Sequence, residues 1–473
     1  MKLASLLAVA ATGACLAAAA GPASAGAGQA SPGASPWSPP ATLSACPAGA
    51  AARVVFPSDS PSHATGAGAI VWSASSACPG GAGARVAPLG ASDDTPAPSV
   101  IPRTVGGRAI APRGPLLASA APHGQVVIAG ASPEAPAGAL VIEGAAGGPF
   151  SPLLVPSSAA AGAAAPMALG TAYLGDVALA SSPASGGRGA GRAEALDVHL
   201  QRFFSHGFTH DTAVRAPATG AVKALTVALD YRGEALAAWT QAGEIYARVI
   251  SNEGARGPLR RLAPVGSRPQ LAAVLSDDGR AIVAWSEQQG AQTSVYVDRS
   301  AVGVRFGAPQ LLEAFRDPDG LPAPAASPSL IRLSSEGVVL GWAGSADGHW
   351  VVRVAPVDLD GVQRVDTIAA PGGDALLADL AAGPDDDALA LWTEPPPSAA
   401  RSADAAKQAI FAARATEGYP AGIAFDEPEQ VAPAGPVGDA SVALDPQSDL
   451  AVAVWRGEGG TIEYSIRGYA SHP

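Results

Sequence analysis

Along residues 225–457 one phrase of apolar and polar positions keeps returning. A short apolar run, such as LTVALD (225–230) or LAAVLS (271–276), leads into a polar turn rich in Asp and Gly. A second run follows, as in AIVAW (281–285) and LAVAVW (450–455), apolar at nearly every position and closed by Trp. Asp and Gly accept the left-handed backbone of a hairpin turn. A run without polar alternation suits a strand buried on both faces. Trp239, Trp285, Trp342, Trp392 and Trp455 mark five copies, 46, 57, 50 and 63 residues apart. Four short strands per period near fifty predict the blades of a β-propeller.

The third run carries an aromatic and, three residues on, an Arg: Tyr296/Arg299, Trp350/Arg353, Phe411/Arg414 and Tyr464/Arg467. Residues three apart on a strand face opposite ways, so the aromatic is expected inward and the Arg toward solvent. The fourth run has an aromatic, a Pro three later and an aliphatic six later, as in Phe306/Pro309/Leu312 and Phe425/Pro428/Val431. Pro on a strand implies an edge, and the outermost strand of a blade is one.

The first half is eroded but keeps the phrase around Trp72, Gly130 and Ser181. Counted together, the markers predict an all-β propeller of eight four-stranded blades, with seven as the alternative. The last unit ends after three strands. Its missing fourth has a counterpart near the other terminus, where Trp37, Pro40 and Leu43 repeat the outer-strand pattern. The N-terminal strand is therefore expected to complete the last blade and close the ring, removing two open sheet edges. Ala-rich runs raise a helical alternative, but Gly and Pro interrupt them every few residues.

The chain opens with Lys2, an apolar stretch from Leu3 to Ala20, and Ala23-Ser24-Ala25 before Gly26. This reads as a secretory signal peptide over 1–25, with an uncleaved anchor as the alternative. A disordered linker (26–36) and a single propeller domain (37–473) follow. Two cysteines remain after the signal, Cys46 and Cys78, and an exported pair most simply forms one disulfide. The chain is acidic, net −12, with three Lys against 26 Arg. That argues against nucleic acid as partner.

These repeats resemble secreted bacterial β-propellers of the sialidase-like group, whose blades often carry an Asp-box. Ser276, Asp278-Gly279 and Trp285 come nearest to one, but the Trp stands six after the Gly instead of three. The resemblance implies a propeller that can host glycosidase chemistry, for which that group uses an Arg triad, a Tyr–Glu pair and an acidic residue. Arg299, Arg353, Arg414 and Arg467 recur once per blade, which marks a structural position. The catalytic motifs are therefore not carried over.

Chemistry is expected where the repeat breaks. His199, His206, His210 and Asp211 cluster in sequence. On a strand His206 and His210 would lie about 13 Å apart, so a solvated loop is expected in place of a metal site. The acidic turns Asp317-Pro318-Asp319-Gly320, Asp358-Leu359-Asp360-Gly361 and Asp385-Asp386-Asp387 lack the ligand spacing of a calcium loop. Only incidental calcium is foreseen, and no cofactor. Loops after each Trp emerge on one face of a propeller. Gln241, Glu287, Gln288, Asp347, Glu394 and Arg456 are the candidate ligand-binding residues there. No nucleophile elbow or HExxH motif is present. The expected function is a secreted, monomeric, non-catalytic binding propeller, extracellular or associated with the cell envelope. Its ligand would be a glycan, cell wall or protein. The alternative is an extracellular carbohydrate-active enzyme, hydrolase or lyase. It would need two carboxylates at glycosidase spacing, and Glu287 and Glu394 are the pair to inspect.

Overall fold

Every period of the sequence folds as an antiparallel meander, because each apolar run pairs with the next across a tight polar turn. The computed structural model describes residues 37–468 apart from 47, 49–51, 57–67, 90–95, 98, 104–106, 108–111, 122–123, 132–138, 154–166, 173–174, 183–194, 203–207, 209, 216–219, 302–304, 317–326, 359, 363, 370–373, 384–385, 395–406, 416–423 and 446–449. The expected signal peptide (1–25) and linker (26–36) lie outside the described residues. Eight sheets result, and the first strands of successive sheets touch in an unbroken ring. This is an eight-bladed β-propeller. Blade four is typical: Val222–Leu229, Ala235–Gln241, Glu244–Ile250 and Arg260–Pro264 pair in that order from the axis outward. Blade one has three strands, Arg53–Val55, Gly68–Ala74 and Gly83–Leu89, and Val100 bridges its outer edge to Val86.

Blade eight is built from both ends of the described chain. Gly438–Leu444, Leu450–Arg456 and Ile462–Gly468 are completed by Ala41–Ser44, with Ala41 opposite Tyr464 and Ser44 opposite Ile462. The Ser38 amide also donates to the Ile466 carbonyl at 2.7 Å. Trp37 anchors this strand among Val431, Val442 and Ala453 between blades seven and eight. Cys46 and Cys78 are joined in a disulfide, with Cα atoms 5.6 Å apart, tying the closing strand to blade one.

In blades three to seven the turns between first and second strands share one feature. The fourth of five turn residues takes a positive φ, at Gly175, Gly233, Gly279, Glu336 and Asp386. Glycine meets this demand without strain. Glu336 and Asp386 do not, and their carboxylates reach the preceding blade. Glu336 Oε2 accepts the Asp277 amide at 2.9 Å, and Asp386 Oδ1 accepts the Ser335 amide at 2.6 Å.

Two sequence expectations need correction. Each outer-strand Pro stands one residue before its strand instead of within it: Pro40, Pro309 and Pro428 precede Ala41, Gln310 and Glu429. The Arg residues do not all meet solvent. Arg414 and Arg467 are buried, paired with Asp387 and Glu429, and Arg353 lies 3.7 Å from Glu313. Asp387 comes from a turn of the same blade, and Glu429 and Glu313 come from the preceding blade, which a single-strand alternation cannot show.

Candidate functional site

Trp72, Trp239, Trp285, Trp342, Trp392 and Trp455 are almost wholly buried. Each closes the second strand of its blade and packs on the blade before it. Trp285 meets Leu236 and Ala247 of blade four, and Trp72 meets Val452 and Ile466 of blade eight. The indole fills the seam with apolar area but brings one N–H that needs an acceptor. The repeat supplies one from three positions. Two residues along the same strand, Gln241 and Glu394 accept from Trp239 and Trp392 at 3.3 and 2.7 Å. From the outer strand of the preceding blade, Glu313 accepts from Trp342 at 2.9 Å. From the third strand directly opposite, Glu463 accepts from Trp455 at 2.9 Å.

Among the described residues the indole N–H groups of Trp285 and Trp72 have no acceptor. In blade five the residue two along is Glu287. Its carboxylate turns away, accepting the Gly266 amide at 2.7 Å and the Gln289 side-chain amide at 3.2 Å. Ala263 stands where the next seam has Glu313: it pairs with Ile245 as Glu313 pairs with Val295. The short side chain helps leave a cavity of about 420 Å³, lined by Val265, Glu287, Gln289, Tyr296 and Trp285 among others. In blade one the residue two along is Ala74, the outer-strand position is Ser44, and the residue opposite is Arg85. A cavity of about 540 Å³ lies there, lined by Ser44, Trp72, Ala74, Arg85 and the disulfide. Arg85 is buried. Its guanidinium donates to the carbonyls of Pro79, Gly81 and Ala84 at 2.9, 2.8 and 3.1 Å, and it forms no ion pair among the described residues. Burial pulls its pKa down.

The structure spreads the candidate ligand residues around one face without bringing them together. Gln241 is buried against the Trp239 indole and also donates to the Gly220 carbonyl at 2.8 Å. Glu394 serves Trp392 in blade seven, where burial pushes its pKa up and the indole contact opposes that rise. Gln288 is buried on the opposite side of its strand from Glu287. Asp347 is an exposed hairpin residue with φ 51°. Arg456 is partly exposed, 3.4 Å from Asp439. Glu287 and Glu394 stand in blades five and seven, each occupied within its own seam. The loops after Trp differ in length from blade to blade. In blades four, five and six they are two-residue hairpins, Ala242-Gly243, Gly290-Ala291 and Asp347-Gly348. Length variation falls in blades one, seven and eight, and 395–406 lies outside the described residues.

The axial channel offers less chemistry. Where the first strands finish, a cavity of about 440 Å³ is walled by Val55, Ala118, Ala381 and Val442, with Arg332 at its edge. The His cluster is not a solvated loop. His199 is buried in the third strand of blade three, 5.9 Å from the Phe208 ring, and His210 begins the outer strand. His206 lies outside the described residues. Among the described residues no group of three or more metal-ligating side chains converges. Of the acidic turns, 317–320 lies outside them, Asp358 accepts the Asp360 amide at 2.8 Å, and Asp386 and Asp387 make the contacts given above. No helix of the described residues is long and apolar enough to cross a membrane.

No family model matches this chain, and no curated protein does. Solved structures similar to it include a puromycin hydrolase, 14% identical over 71% of this chain, with a TM-score of 0.40. This chain spans 49% of that one. A subtype N10 neuraminidase-like protein of A/little yellow-shouldered bat/Guatemala/060/2010 is 8% identical, covering 64% of this chain and 94% of that one, with a TM-score of 0.33. An α-L-arabinanase of Penicillium chrysogenum, complexed with arabinobiose, is 9% identical over 64% and 93%, at 0.34. The likeness concerns the propeller fold alone.

Proposed function

We propose that this chain is an exported, non-catalytic binding propeller that takes an extracellular glycan or cell-wall ligand on the face bearing the loops after the Trp residues. One observation carries the reading: the seam between blades four and five holds a cavity beside an indole N–H whose counterparts in blades four, six, seven and eight each have an acceptor. A hydroxyl can accept from Trp285 and donate to Glu287, while Val265, Pro264 and Tyr296 offer apolar area to a sugar's C–H face. The cavity falls in the size range of ligand sites, about 300–1,000 Å³. The Cys46–Cys78 disulfide and the leader-like N-terminus agree with export. A glycan and cell-wall binding screen tests this, followed by Glu287→Ala, Glu394→Ala and Arg456→Ala. Loss of binding with Glu287→Ala and retention with Arg456→Ala is expected. Binding that survives all three changes rules out this site. Hydrolysis of a glycan, abolished by Glu287→Ala, would replace the binding reading with an enzymatic one.

A further inference from the structure

Blades one and six are the two in which the residue opposite the repeat Trp is an Arg: Arg85 faces Trp72, and Arg353 faces Trp342. Blades four, five and seven place an aromatic there, stacked on the indole with centroids 5.4–6.2 Å apart. In blade six one carboxylate serves both partners. Glu313 takes the Trp342 indole N–H at 2.9 Å and lies 3.7 Å from the Arg353 Nε, while its other oxygen accepts the Ser345 amide at 2.9 Å. Blade one repeats the Trp and the Arg but not the acid. Ser44 holds the register position of Glu313, pairing with Ile462 as Glu313 pairs with Val295. Its hydroxyl accepts the Cys46 amide at 3.2 Å. What remains is a cavity with a buried indole N–H that has no acceptor among the described residues, and a buried guanidinium whose partners there are neutral carbonyls. A buried cation without a counter-charge is costly. An incoming carboxylate would remove that cost and satisfy the indole together.

We propose that the seam between blades eight and one binds a carboxylate-bearing ligand, whose carboxylate takes the place that Glu313 fills between blades five and six. Trp72 donates its indole N–H to one oxygen, and Arg85 supplies the positive charge. Ser44 and the disulfide form the wall. The site stands apart from Glu287, so failure of either proposal leaves the other intact.

Calorimetric titration of the folded, oxidised protein tests it with four probes. Methyl glucuronide and N-acetylalanine bring a carboxylate from a sugar acid and from an amino acid, and methyl glucuronamide and N-acetylalaninamide are their neutral counterparts. At least one acid binds and its amide binds at least about tenfold more weakly, the loss typical of a charge-assisted hydrogen bond. Binding of the sugar acid alone assigns a uronate; binding of both acids assigns the carboxylate itself. Arg85→Met abolishes binding. Ser44→Glu places the acid of the Glu313 seam into this one, so it also abolishes binding while raising the melting temperature. The proposal is overturned if no acid binds, if an amide binds as well as its acid, or if Ser44→Glu leaves binding unchanged.

Discussion

A single N–H distinguishes the seams of this propeller. Where Gln241, Glu313, Glu394 or Glu463 accepts it, the Trp is a structural wedge. Beside Trp72 and Trp285, the repeat Trp residues without an acceptor among the described residues, a cavity lies. Removing an acceptor from a closed seam therefore costs stability without opening a site. Glu394→Ala leaves the Trp392 indole N–H unpaired in a seam where that Trp is fully buried, and should lower the unfolding free energy by about 1–3 kcal/mol. Glu394→Gln, which keeps an acceptor, should cost much less in the same denaturant titration. Buried carboxylates add a pH dependence. Burial pushes Asp230 and Asp298 up to about 6 from 3.8, against backbone N–H contacts that oppose the rise. Between those values the folded state holds more protons than the unfolded one, so their contribution to stability falls as pH rises through the window and is flat above it. Asp298→Asn should flatten its share of that slope. An identical pH profile of melting temperature in the variant would show that Asp298 titrates normally.

At the scale of the strand and turn, the sequence was largely legible. Trp spacing located the blades because a buried strand needs an unbroken apolar run, and polar stretches holding Asp and Gly located the turns because the backbone there needs positive φ. Many side-chain partners were not legible, since strand pairing and blade neighbours bring together residues far apart in the chain, as with Glu313 and Trp342. Arg414 read as solvated because Asp387, its partner, precedes it by a whole loop. The site was half visible: Glu287 was singled out, but Ala74, Ser44 and Arg85 were not. Their signal was a departure from the repeat, an Ala or Ser where another blade has an acid. Register pairings were needed to align those positions. Turns with a non-glycine at positive φ offer a direct test. Asp386 bears left-handed strain of roughly 1–2 kcal/mol but accepts both the Ser335 amide and the Ser334 hydroxyl. Asp386→Gly should relieve the strain and lose both contacts, for a net loss of stability. Asp386→Asn, which tolerates the conformation and keeps an acceptor, should be close to neutral by thermal melting.

The whole ring depends on two ends far apart in sequence. The strand at 41–44 removes the open edge of blade eight, and the Cys46–Cys78 disulfide fixes it to the loop whose Pro79 and Gly81 carbonyls hold Arg85. Replacing both cysteines by Ser should cost about 2–4 kcal/mol and weaken carboxylate binding in the same protein. An unchanged melting curve would mean that closure does not depend on the bond. The central claim is that ligands enter where the repeat withholds an acceptor from its Trp. Nitrogen-15 labelling of the indoles tests it most directly, because each of the eight Trp residues gives its own N–H resonance, assignable by replacing one Trp at a time with Phe. Addition of methyl glucoside should move the Trp285 signal, and addition of methyl glucuronide the Trp72 signal. Shifts at Trp239, Trp342, Trp392 or Trp455, with Trp72 and Trp285 unmoved, would contradict the account.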